Sequence, residues 1–138
     1  MKKFDQRGAA AFEFCIVAMT VFALLFAIFD FGRFAITMQS LRALANASAR
    51  ATMVSTCYST SVTTNSSPSG CTGDYLTLAQ KQAIAPMLYA NGLTPTVTTT
   101  VAGSALVVTA SLPGFQMIFG SLWGTSLNAP STFTKIPI

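Results

Sequence analysis

Residues 7–14 read Arg7-Gly8-Ala9-Ala10-Ala11-Phe12-Glu13-Phe14, and they open an apolar stretch that carries no further charge until Asp30. An ionised carboxylate costs about 2.5 to 3.5 kcal/mol at the centre of a membrane helix on insertion scales. Glu13, at the mouth of such a stretch, therefore calls for a cationic partner. A cut after Gly8 would make Ala9 the first residue and Glu13 the fifth, and would create a new α-amino group beside the lipid surface.

Working outward, the run 14–29 is uncharged but short for a span, because a helix needs about 20 apolar residues to cross roughly 30 Å of hydrocarbon. Counting from Ala9 meets that length if Glu13 lies near the headgroups or is paired. An ordinary signal anchor with an incidental glutamate is the plain alternative. A cleavable secretory signal is the next, since Lys2, Lys3 and Arg7 form a basic region ahead of the apolar run. Its small-residue site, Ala45-Asn46-Ala47, comes too late, beyond Asp30 and Arg33 on continuing helix. Cys15 follows Phe12-Glu13-Phe14, which does not suit lipid attachment, and reads as a small hydrophobe.

Composition narrows the class. Of 138 residues only 9% are charged, against about 25% in soluble proteins, so the chain belongs in a membrane or in a densely packed fibre. The net charge is +4, but the basic residues are scattered and do not alternate with aromatics, which argues against nucleic acid as a partner. Lys2, Lys3 and Arg7 before the span are matched by Arg33, Arg42 and Arg50 after it. Their density in the first seven positions, with a Cys57/Cys71 pair suited to an oxidising compartment, puts the amino terminus in the cytoplasm.

The helix is expected to run on past the lipid. Residues 34–54 contain no Pro or Gly, and Phe34, Met38, Leu41 and Leu44/Ala45 recur at helical steps as one apolar stripe. Asp30 and Arg33, one turn apart, read as an ion pair marking the membrane boundary, worth about 0.2 to 0.5 kcal/mol in water. Gly32 is the one soft point. A single helix from Ala9 to about Ser55 would be roughly 70 Å long, half of it projecting as a stalk.

The remainder must cover that stripe. A Ser/Thr-rich loop, 58–70, is bracketed by Cys57 and Cys71; bonding them would stabilise the fold by about 3 kcal/mol, the alternative being two free thiols. Asp74 reads as the cap of a second helix through Leu76, Ala79, Ala83, Met87 and Tyr89/Ala90, stopped at Asn91-Gly92. A hairpin follows, 94–101 and 105–112 about a turn at Ala102-Gly103-Ser104, ended by Pro113-Gly114. The apolar segment 115–123 is too short to cross a membrane and is expected to fold onto the sheet. Residues 132–136 alternate as a third, edge-like strand ended by Pro137. The expected fold is α+β: a long membrane-spanning helix, then a second helix and a short antiparallel β-sheet packed on it.

Catalysis is tested by inventory. The chain has no histidine, and beyond the membrane segment Asp74 is the only carboxylate. Acid/base pairs and the usual histidine/carboxylate metal sites cannot be assembled from these residues. The expectation is a non-enzyme with no cofactor, no metal and no small-molecule substrate.

The residues 7–14, the apolar run, Asp30-Phe31-Gly32-Arg33 and Ala47-Ser48-Ala49-Arg50 resemble the start of the TadE-like minor pilins of the tight-adherence pilus system. The capped helix, the Thr/Val hairpin, the hydrophobic insert and the last strand are similar to that family's order. The chain departs from it in Asp30, where glutamate is usual, and in Ser48 and Thr52, in a stretch usually richer in glutamate and alanine. The resemblance implies a pseudopilin of the bacterial inner membrane or the pilus, clipped by a prepilin peptidase between Gly8 and Ala9. Residues 1–8 would be a basic leader, 9–33 the transmembrane and assembly helix, and 34–138 an extracytoplasmic pilin-like domain. Glu13 and Phe14 would serve assembly with other pilin and minor pilin subunits, Glu13 meeting the α-amine of a neighbour. The competing expectation is a bitopic anchor whose outer domain binds a ligand or partner and never enters a fibre; it keeps its leader and tolerates Glu13→Gln.

Overall fold

A computed structural model describes residues 6–120 and 124–137, the side chains of Gln6, Arg7 and Asn91 excepted. The leader residues Lys2 and Lys3 and the end of the 115–123 segment, with Trp123, lie outside the described residues. The architecture is α+β. Helix α1, Gln6–Val54, is a single helix of 49 residues, about 74 Å at 1.5 Å per residue, and Gly32 does not interrupt it. Its part from Gly8 onward is long and apolar enough to cross a membrane.

Two regimes divide α1. Up to residue 29 apolar side chains point outward on all sides, as in a helix meant for lipid or for other helices. From Phe34 onward one stripe turns inward: Leu41, Leu44, Ala45, Ser48, Ala49 and Thr52 are buried, with Phe34 and Met38 half-buried beside them. Ser48 and Thr52, the departures from the family pattern, thus lie on the packing face; the Thr52 hydroxyl donates to the Ser48 carbonyl at 2.9 Å.

Strands β1 (Thr96–Ala102), β2 (Ala105–Ser111) and β3 (Ser131–Pro137) form an antiparallel sheet in that order. Gly103, at φ +63°, takes the left-handed corner of a two-residue hairpin turn that glycine fills without steric cost. In register, Val101 faces Leu106 and Leu106 faces Ile136; Thr99 faces Val108 and Val108 faces Thr134. Val97, Thr99, Leu106, Val108, Ala110 and Ile136 point one way and are buried, and β2 and β3 pack on α1.

The loop expected at 58–70 is in part a helix, α2, Thr56–Thr63. Ser55 caps it, accepting the Tyr58 N–H, and hydroxyls that ordinarily disfavour helix are satisfied along it. Thr60 Oγ1 donates to the Thr56 carbonyl at 2.8 Å and Ser61 Oγ to that of Cys57 at 3.1 Å. Cys57 and Cys71 form a disulfide, with Cα atoms 5.6 Å apart.

The second expected helix starts later and breaks earlier than its spacing predicts. Asp74 is not its cap; its carboxylate accepts the Leu76 N–H at 3.0 Å and pairs with Lys81. Thr77 caps α3, Leu78–Ile84, in a reciprocal capping box with Gln80. Pro86 disfavours helical geometry at Ala85, which sits at φ −137°, ψ 62°, and the chain resumes as a 3-10 turn, Pro86–Gly92. Gly92, at φ +73°, is the left-handed stop the sequence signals.

The apolar segment after β2 shares the core with the sheet, where Phe115 and Met117 are buried, and it also meets α1. The excursion 112–130 is closed at its neck by Leu112 N–H to the Pro130 carbonyl and Ala129 N–H to the Phe115 carbonyl, both at 3.0 Å. Phe115 meets Phe34 with ring centroids 6.2 Å apart, and Phe119 meets Phe26 at 5.0 Å.

Candidate functional site: the apolar helix and its carboxylates

The amino-terminal part of α1 holds Gly8, Ala9, Glu13 and Phe14 on continuous helix, and all four are exposed. Gly8 has helical backbone, and a Cβ built on it would meet nothing within 4 Å. The fold gives no reason for a glycine there, where alanine would be more stable by about 0.5 to 1 kcal/mol. The packing of the folded chain places no steric demand for glycine at this position.

Ala9 and Glu13 stand one turn apart on one helix face, and helical side chains tilt toward the amino terminus, so the Glu13 carboxylate leans toward Ala9. Among the described residues Glu13 joins no ion pair. Phe14 beside it is 73% exposed. Along 14–29 polar character is limited to Cys15, an exposed free thiol, and Thr20, whose hydroxyl donates to the Ile16 carbonyl at 3.1 Å. A hydroxyl bonded back to its own helix needs no water, which suits a segment surrounded by hydrocarbon.

Asp30 behaves differently from its sequence reading. The expected ion pair with Arg33 exists only at 4.0 Å, and it is the lesser contact. Asp30 is 0% exposed, and its two oxygens accept the backbone N–H groups of Ile118 and Phe119, each at 3.0 Å. A carboxylate bridging two consecutive amides has its charge dispersed by strong, charge-assisted hydrogen bonds. Arg33 leans instead over the Phe115 ring, its guanidinium carbon 5.5 Å from the centroid. The pair thus becomes a clasp: helix, loop backbone and aromatic ring meet at one point.

Ile118, Phe119 and Phe26 were not identified from sequence as parts of this point. A signal was present, since a lone aspartate closing an apolar run needs donors and a Gly-flanked apolar loop has free amides, but no local pattern links positions 88 residues apart. The disulfide Cys57–Cys71 and the ion pair of Asp74 with Lys81 lie elsewhere, in the segment joining α1 to the sheet. Among the described residues no group of three or more His, Cys, Asp or Glu side chains could hold a metal ion.

The family model described as TadE-like protein matches residues 8–50, which covers Gly8, Glu13, Asp30, Arg33 and the inward stripe of α1 as far as Arg50. No curated protein and no solved structure matches the chain.

Proposed function

With residues 8–50 TadE-like, we propose that this chain is a minor pilin, or pseudopilin, of a tight-adherence pilus system. It is inserted once in the bacterial inner membrane with its amino terminus in the cytoplasm, and is clipped by a prepilin peptidase between Gly8 and Ala9. Its work is structural and not catalytic. The observation that carries this reading is a glycine the fold does not need, five residues before an exposed glutamate on a helix apolar all round.

The mechanism follows from charge and packing. Cleavage exposes the α-amine of Ala9, and α-amines are ordinarily protonated at neutral pH. An isolated carboxylate in hydrocarbon is costly; one facing an ammonium is much less so. Glu13 of one subunit and the amine of Ala9 on a neighbour bring two helices into register, and the exposed side chains Phe14, Val17, Val21 and Leu24 then pack helix on helix. The α+β domain rides on the stalk outside the membrane and meets companion pilin subunits.

Intact-protein mass tests the cleavage. Co-expression of the full chain with a prepilin peptidase should remove residues 1–8 and leave Ala9 first. Retention of Met1 overturns the prepilin reading and leaves a bitopic anchor in its place. For assembly, Glu13→Ala should keep membrane insertion and lose piliation. A piliated Glu13→Ala strain would sink the pairing mechanism.

A further inference from the structure

The turn at Ile118–Phe119, the described tip of the excursion between β2 and β3, carries one apolar side chain that the fold leaves largely uncovered. Ile118 is 64% exposed although Phe115 and Met117, just before it, are buried. Its position is not loose: the Ile118 and Phe119 amides are bound to Asp30, and the Phe119 ring lies against Phe26. The tip is thereby held at the height of residues 26–30 of α1.

Height decides what covers it. The uncharged run 14–29 is about 24 Å long at 1.5 Å per residue, short of the roughly 30 Å of hydrocarbon. Asp30 does not end the run as lipid would meet it, because its carboxylate is enclosed by the loop. The first charge presented outward is Arg33, whose side chain is 45% exposed and whose length lets it reach headgroups. From Phe14 to Gly32 the helix then spans about 28 Å, close to a full crossing. A loop bound at residues 26–30 sits inside that band. Residues 113–120 carry no charge, so nothing in the segment opposes burial there.

Resting on the reading of α1 as a membrane span, we infer that the Ile118–Phe119 tip is a second membrane contact: a loop inserted at the headgroup/acyl boundary of the leaflet at the carboxyl end of the span. It adjoins the apolar half of α1 through Phe119 on Phe26, which in turn stacks on Phe22, and the occupant it fits is the bilayer. Two attachments, helix and loop, hold the domain at one rotation about α1. Asp30 is the positioning residue: it keeps the loop amides bonded where water is scarce, which hydrocarbon otherwise makes costly.

The test uses the full chain in phosphatidylcholine nanodiscs, with Cys15→Ala and the disulfide intact. A bimane label is placed singly through Ile118→Cys, Phe22→Cys or Ser104→Cys, the last on the hairpin turn. Doxyl-labelled lipid should quench the label at 118 several-fold, as at 22, while aqueous iodide quenches only that at 104. A label at 118 that iodide reaches as at 104, while 22 stays lipid-quenched, overturns the inference and spares the span. A label at 118 shielded from both quenchers also overturns it, by showing protein in the place of lipid. Iodide reaching the label at 22 removes the span reading and this inference with it.

Discussion

The Oδ1 atom of Asp30 accepts the backbone N–H of Ile118 at 3.0 Å, joining a point near the middle of the long helix to a loop 88 residues further along the chain. With the neighbouring bond from Phe119 to Oδ2, it fixes where the folded domain meets the apolar segment.

Removing that acceptor strands two part-buried amides. Hydrogen bonds to charged groups contribute about 1.5 to 3 kcal/mol each, and a donor left unpaired costs about 1 to 3 kcal/mol. Asp30→Ala is expected to lower stability by about 3 kcal/mol in urea unfolding of the full chain in micelles, and Asp30→Asn, which keeps one carbonyl oxygen, by about half as much. An Asp30→Ala midpoint equal to the parent's would show that the clasp contributes nothing.

Gly32 lies in continuous helix, and a Cβ there would meet nothing within 4 Å. Gly32→Ala should therefore raise stability by about 0.5 to 1 kcal/mol, through lost freedom in the unfolded chain. A higher melting temperature is the expected readout, and a lower one would point to a close helix contact at this position.

The disulfide ties α2 to the segment before α3. Replacing Cys57 and Cys71 together with Ser should cost about 3 kcal/mol for a loop of this length. Non-reducing peptide mapping should recover the 57–71 pair from the parent, and unfolding with and without reductant should differ for the parent alone.

Leu44 and Leu24 separate the two regimes of α1. Leu44 is 0% exposed in the core and Leu24 is 61% exposed on the apolar half. Leu44→Ala should lose about 2 to 5 kcal/mol of fold stability, while Leu24→Ala should leave the isolated chain unchanged. Equal losses for the two would deny that the folded domain has a core of its own.

Much of this architecture is legible from local pattern. The length of α1 follows from the absence of Pro and Gly after Gly32 and from the steps Phe34, Met38, Leu41 and Leu44, and the stripe is buried as that spacing requires. The hairpin follows from Thr/Val alternation about Gly103, and its strands end within two residues of the expected bounds. The spacing from Leu76 to Tyr89 predicts one helix where Pro86 breaks it, because its effect on Ala85 is a backbone restriction that hydrophobic periodicity does not register. Helix α2 was missed because Ser and Thr read as loop formers when their hydroxyls bond elsewhere; here they bond to their own helix.

What the sequence alone determined is whatever depends on neighbours in the chain: a long apolar helix with Glu13 at its mouth, a Thr/Val hairpin and a glycine ahead of the helix's first apolar turn. What only the tertiary structure decided is the role of Asp30. Periodicity pairs it with Arg33 because they share a helical turn, but an enclosed carboxylate takes donors that reach both of its oxygens. Those are two amides brought by the return of the chain between β2 and β3. Such contacts depend on where distant segments meet in space, which no local spacing encodes, and here they turn an apparent end of the membrane segment into its anchor to the folded domain.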